Sequence, residues 1–94
     1  MGYRLRPAAR ADVASTTRFI AERNPDASLR WAARMTDLFA RLGEMPGMGA
    51  PRFEVLPGLR LLPFKDYNIL YVEEGGGVAI LRVVHGARAW EKLV

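Results

Sequence analysis

Apolar residues recur along this chain with two periods, and the change of period separates a helical first half from a stranded second half. Residues 2–6 alternate Tyr3 and Leu5 with Arg4 and Arg6, the two-residue repeat of a short strand. Pro7 then opens a helix, because proline tolerates the first helical position, and Asp12 suits the positive end of the helix dipole. Ala9, Val13, Thr16 and Ile20 form one stripe of it, with Phe19 alongside. Asn24-Pro25 breaks that helix and starts a second, since Asn24 caps well and Pro25 fits the first turn.

The second helix has the strongest periodicity in the chain. Trp31, Met35, Leu38, Phe39 and Leu42 repeat at three- and four-residue steps, while Arg30, Arg34, Asp37 and Arg41 fall elsewhere. A stripe of this kind is read as core. Asp26 with Arg30 and Asp37 with Arg41 are four-residue pairs that support the helix weakly. Gly43 is expected to end it, leaving residues 44–51 as an irregular connection. The glycines there do not make a phosphate cradle: no lysine followed by serine or threonine comes after them, and no strand feeds in.

Four further strand segments follow. Residues 52–56 and Leu59–Phe64 flank Pro57-Gly58 as an expected hairpin. Tyr67-Asn68-Ile69-Leu70-Tyr71-Val72 and Val78-Ala79-Ile80-Leu81-Arg82-Val83-Val84 flank Gly75-Gly76-Gly77 as another. Short turns demand antiparallel neighbours, and two helices laid on one face of such a sheet make an α+β sandwich.

Ninety-four residues make one domain, spanning 1–94, that buries about 60–65% of its unfolded surface. The absence of cysteine removes disulfides, thiol catalysis and thiolate metal sites. One histidine without a local carboxylate cluster gives no reason to expect a metal, and no cofactor is expected. The first residues have no apolar signal region and no stretch reaches membrane-spanning length, so a cytoplasmic location is expected. Net charge is +4, and twelve of the fourteen basic residues are arginines. That excess suits recognition of phosphate or carboxylate, because the guanidinium fork binds both bidentately.

Candidate chemistry gathers late in the chain. The last strand runs into His85-Gly86-Ala87-Arg88, setting an imidazole and a guanidinium at the rim of the sheet. His85 has the pKa range of a general acid or base, but no neighbouring carboxylate orients it, which favours a capping role. Arg60 follows a turn; it reaches either a partner's anionic group from the open sheet face or a surface acid such as Glu54 or Asp66. Arg82 interrupts an apolar strand and needs an anion, either a bound acidic segment or Glu73 or Glu74. Arg88 and Trp90 lie beyond the last strand, where tryptophan either packs back on the helices or forms a contact surface.

Taken in order, several fragments resemble the RelE/ParE superfamily of bacterial toxins from two-gene toxin–antitoxin modules. They are residues 3–10 with Asp12-Val13, then Asn24-Pro25-Asp26-Ala27, and then Met45-Pro46-Gly47-Met48-Gly49. Gly58-Leu59-Arg60 and Tyr67-Asn68-Ile69-Leu70-Tyr71 continue the likeness. It closes on Ile80-Leu81-Arg82-Val83-Val84-His85-Gly86-Ala87-Arg88, which looks most like the ParE branch. The resemblance implies a two-layer α+β fold: an N-terminal strand, a two-helix hairpin and an antiparallel sheet of three to four further strands. It also implies a toxin that inhibits DNA gyrase by stabilising a cleaved-DNA state, without catalytic residues of its own. A cognate ParD-like antitoxin would neutralise it, forming a toxin–antitoxin hetero-oligomer in which sequence-specific DNA binding belongs to the antitoxin.

The RelE branch implies an alternative, a ribosome-dependent nuclease of messenger RNA. In that branch basic side chains surround the developing phosphate charge, and in some members a terminal tyrosine assists attack. This chain has Asn68 where such enzymes typically carry arginine, Leu59 and Leu61 where paired lysines are expected, and no tyrosine after Tyr71. It departs from the usual ParE ending too, because Ala89 follows Arg88 where an aspartate is common. Arg60, Arg82, His85, Arg88 and Trp90 are therefore the candidate contacts for target or antitoxin, and the reading leans away from an enzyme.

Overall fold

The computed structural model describes residues 2–86 and 88–94; Met1 and Ala87, the latter inside the last motif above, lie outside the described residues. Strand β1 (Tyr3–Leu5) leads into helices α1 (Pro7–Ala21) and α2 (Pro25–Glu44). After a 3₁₀ turn at Pro46–Met48 come β2 (Ala50–Pro51), β3 (Leu59–Phe64), β4 (Tyr67–Glu74) and β5 (Gly77–His85), with a last 3₁₀ turn at Trp90–Leu93. The sheet order is β1-β5-β4-β3-β2. Strands β2 to β5 are antiparallel neighbours, whereas β1 runs parallel to β5. A parallel pair needs a long connection between its strands, and here everything from α1 to β4 lies between β1 and β5.

Both expected helix starts are present. Pro7 and Pro25 occupy the first turns, and the Asn24 side chain accepts a hydrogen bond from the Ala27 amide at 3.0 Å. The α2 stripe is core: Trp31, Met35, Phe39 and Leu42 are buried against Ile69, Tyr71, Val78, Ile80 and Val83 of the sheet. Each such side chain contributes about 1.5–3 kcal/mol. Ser28, also buried, donates to the Thr17 carbonyl at 2.8 Å and fastens the two helices together.

The sheet is covered on its second face as well. Leu59, Leu61, Leu70 and Val84 are buried there beneath Val55, Leu56, Trp90 and Leu93. The expected strand over residues 52–56 does not form. Pro51 ends β2, the Arg52 amide bonds back to the Leu59 carbonyl at 2.8 Å, and the segment closes as turns. Its Val55 and Leu56 serve as a flap over the sheet instead.

The turn between β4 and β5 has positive φ at both Gly75 and Gly76, as a two-residue type I′ hairpin requires. Gly43 does not stop α2, which continues to Glu44. It is glycine because the backbone of Gly2 passes against it: a Cβ there would lie 2.7 Å from the Gly2 carbonyl oxygen. Neither four-residue pair on α2 closes; among the described residues the ion pairs are Arg4–Glu74, Arg6–Glu74 and Arg82–Asp12. Also among the described residues, no helix is long and apolar enough to cross a membrane.

Candidate functional site at the end of the last strand

Strand β1 pairs only with Val78, Ala79 and Ile80, so the outer edge of β5 loses its strand neighbour beyond Ile80. The ladder to β4 also slips at this point, with Leu70 opposite Arg82 but Tyr71 opposite Ile80. One extra residue is thus inserted in β5, and a bulge of this kind re-aims the side chains after it. Asp12, from α1, fills the gap. Its carboxylate accepts from Arg82 Nε at 2.7 Å, from Arg82 Nη2 at 2.9 Å and from the Val83 amide at 2.9 Å.

Arg82 is therefore neither paired with Glu73 or Glu74 nor presented to a bound segment; Glu74 is engaged by Arg4 and Arg6. The Asp12 hydrogen bond raises the Arg82 pKa further above its already high ordinary value, more than burial lowers it. Asp12 is not in the first turn of α1, and its contribution is to the sheet edge, not the helix dipole.

Beyond this clasp β5 ends at His85, which is exposed. The imidazole packs edge-on to its cross-strand neighbour Tyr67, with ring centroids 5.5 Å apart, and Tyr67 meets Trp31 in turn at 5.4 Å. Burial first, and the Asp66 charge second, raise the Tyr67 phenol above its ordinary pKa, so it stays protonated at neutral pH. Arg88 is exposed, and its amide donates to the His85 carbonyl at 2.9 Å. Together with Asp12, Thr16, Phe19 and Val83, these residues line an open groove of about 300 Å³ between α1 and the end of β5. Phe19 is 52% exposed, and the Arg23 guanidinium lies 4.6 Å from its ring centre.

Of the five candidate residues, the fold brings His85 and Arg88 to this groove, while Arg82 does not line it and holds the Asp12 that does. Arg60 and Trp90 are elsewhere. Strand alternation puts Arg60 with Leu62 and Phe64 on the helix side, so it does not point to the open sheet face. It pairs with neither Glu54 nor Asp66. Its Nη1 donates to the Gly49 carbonyl at 2.9 Å, and the guanidinium stacks 5.4 Å from the Phe53 ring centre. This ties down the connection that Tyr71 also holds, by donating to the Pro46 carbonyl at 2.7 Å and accepting from the Gly49 amide at 2.8 Å. Trp90 packs on the second face of the sheet, half-buried.

Sequence reasoning passed over Asp12, Tyr67 and Phe19 as parts of the site. A signal for Asp12 was available: it is the only acidic residue in α1, as Arg82 is the only cation in β5. Two isolated opposite charges in apolar segments are candidates for each other. The groove sets the exposed His85 and Arg88 beside Phe19 and Val83. The Asp12 carboxylate already accepts three hydrogen bonds, which leaves it poorly suited to orient an imidazole as a base.

The family model for the ParE toxin of the type II toxin–antitoxin system parDE matches residues 3–90. The chain belongs to the ParE toxin family. It is similar to Toxin ParE3 of Caulobacter vibrioides (strain ATCC 19089 / CIP 103742 / CB 15), with 38% identity over 53 residues; the match covers 56% of this chain and about half, 53%, of that relative. Among solved structures it resembles a chain of the chromosomal ParDE system from P. aeruginosa, with a TM-score of 0.75 at 20% identity. That likeness covers 90% of this chain and 95% of the other, and it establishes a shared fold. The α+β arrangement expected of a ParE-family chain is thus present, with the parallel β1 as the detail that strand patterning alone left open.

Proposed function

We infer that this ParE-family chain is the toxin of a type II module, that it acts by binding DNA gyrase, and that a ParD-like antitoxin neutralises it. The observation that carries the reading is the rim of β5. An exposed guanidinium and an exposed imidazole line a mixed groove that also presents Phe19, Val83, Ser15 and Thr16, and the carboxylate present is engaged by Arg82 and Val83. Such a surface grips an anionic or mixed partner; it does not shuttle protons. The second face of the sheet carries the apolar cover of Val55, Leu56, Trp90 and Leu93 over its centre, which argues against the messenger RNA nuclease.

Expression in bacteria tests the reading. Gyrase poisoning gives filamentous cells with an induced DNA-damage response, whereas a nuclease halts translation first. Arg88→Ala is expected to reduce toxicity by about tenfold or more, the scale of truncating one anchoring arginine. The fold should be unchanged, because the side chain is exposed. Growth arrest equal to that of the unmodified chain would remove Arg88 from the contact surface.

A further inference from the structure

The rim groove gathers hydrogen-bond donors that the fold does not use. Ser15 and Thr16 from α1, Tyr67 from β4 and Arg88 beyond β5 all line it, together with His85. Among the described residues, the hydroxyls of Ser15, Thr16 and Tyr67 make no hydrogen bond, and the Arg88 guanidinium has neither a hydrogen bond nor an ion pair. Thr17 and Thr36, by contrast, donate to carbonyls of their own helices. Tyr67 stays protonated at neutral pH, so its phenol also donates. Asp12 is the one carboxylate among the lining residues, and it is engaged by Arg82 and the Val83 amide.

Phe19 supplies a separate observation. Its ring lines the same groove and is 52% exposed, with the Arg23 guanidinium 4.6 Å from its centre. An open ring with a cation against it is a stacking surface for a flat group. The spare donors call for an anion rich in acceptor oxygens, and the ring calls for an aromatic group attached to it. A nucleotide carries both. An aspartate or glutamate side chain offers two oxygens and no ring.

On the gyrase reading above, which supplies the DNA, we propose that this groove takes a phosphodiester of single-stranded DNA. Arg88 and the hydroxyls of Ser15, Thr16 and Tyr67 hold the phosphate, and the adjoining base stacks on Phe19. Stacking on a side chain needs an unpaired base, so an opened strand binds better than an intact duplex. The toxin then favours whichever state of the gyrase–DNA complex exposes such a strand, because a ligand shifts an equilibrium toward the state it binds more tightly. Contacts to the backbone and to a base face read no sequence.

The probe is a fluorescently labelled oligo-dT of about ten nucleotides, titrated with the full chain and followed by anisotropy. Salt is held at one low concentration, since phosphate binding depends on it. Phe19→Ala and Arg88→Gln alter exposed side chains, and thermal unfolding checks that both variants remain folded. Each is expected to weaken binding about tenfold, the scale of losing one stacked base or one charged hydrogen bond. Arg41→Gln removes an exposed cation outside the groove and should weaken it less than about twofold. Losses in Phe19→Ala and Arg88→Gln no greater than in Arg41→Gln overturn the groove assignment, as does an oligo-dT that fails to bind. Either result leaves the gyrase reading intact if supercoiling is still inhibited. Tighter binding of oligo-rU assigns the groove to RNA, displacement of oligo-dT by a glutamate peptide of equal charge assigns it to an acidic protein segment, and each overturns the proposal. Gyrase untouched by the unmodified chain overturns the gyrase reading and the DNA source with it, while the oligonucleotide titration still decides the groove's ligand.

Discussion

Replacing Asp12 with alanine is expected to destabilise the fold by about 3 kcal/mol, near the lower end for removing one member of a buried ion pair. The side chains of Asp12 and Arg82 are only 12% and 18% exposed, so the guanidinium cannot recover its hydration by a small rotation. The same change removes the acceptor of the Val83 amide, at a strand edge with no neighbouring strand on that side. In a chain of this length the loss corresponds to a fall in melting temperature on the order of 15 °C. Asp12→Ala/Arg82→Met should recover much of it, because the stranded charge is gone and only the amide remains unpaired. Thermal unfolding of the two single variants and the double variant measures the coupling. Additive losses would show that the clasp contributes no more than its separate parts.

Gly77→Ala is the second large effect. A Cβ at Gly77 would overlap the Gly2 carbonyl oxygen, the atom that accepts from the Val78 amide at 3.0 Å. The obstacle is backbone, so no rotamer change relieves it, and Gly43 closes the other side of Gly2. The three-residue β1 must therefore move away from β5. The expected cost is about 3 kcal/mol, the upper end for overpacking. Gly47→Ala is the control, since a Cβ there meets nothing within 4 Å, and it should change stability by less than about 0.5 kcal/mol. Amide exchange at Val78, which bonds to Gly2, should accelerate in Gly77→Ala alone. Protection unchanged there would mean that the seam tolerates the methyl.

The α-helical half of this fold was legible because its signals are local. Proline at two helix starts, Asn24 as a cap and a five-residue apolar stripe each act within a few residues of chain. The hairpin from β4 to β5 was legible for the same reason. Residues 52–56 misled because Phe53, Val55 and their polar neighbours alternate as a half-buried strand does. A flap that lays Val55 and Leu56 on a sheet has that same alternation without a partner strand. The parallel pairing of β1 with β5 spans more than seventy residues, and no local pattern encodes it.

The site follows the same division. The position of His85 and Arg88 at the rim was legible because the strand ends visibly at them. Arg82 was recognised as needing an anion, but its partner is seventy residues away on α1, while Glu73 and Glu74 were merely near in sequence. Arg60 was misplaced because its face depends on strand register, and one step of register exchanges the two faces. Trp90 packs inward as the commoner of its two roles has it, but on the sheet face away from the helices and not on the helices themselves.

The account rests on the rim of β5 being a surface that grips and does not cut. Purified DNA gyrase, assayed for supercoiling and for the cleaved-DNA complex, tests it most directly, with ribosomes on a defined message run in parallel. The expected result is accumulation of cleaved complex with the unmodified chain, much less with Arg88→Ala, and an intact message. Messenger RNA cut on the ribosome, with gyrase unaffected, would contradict it.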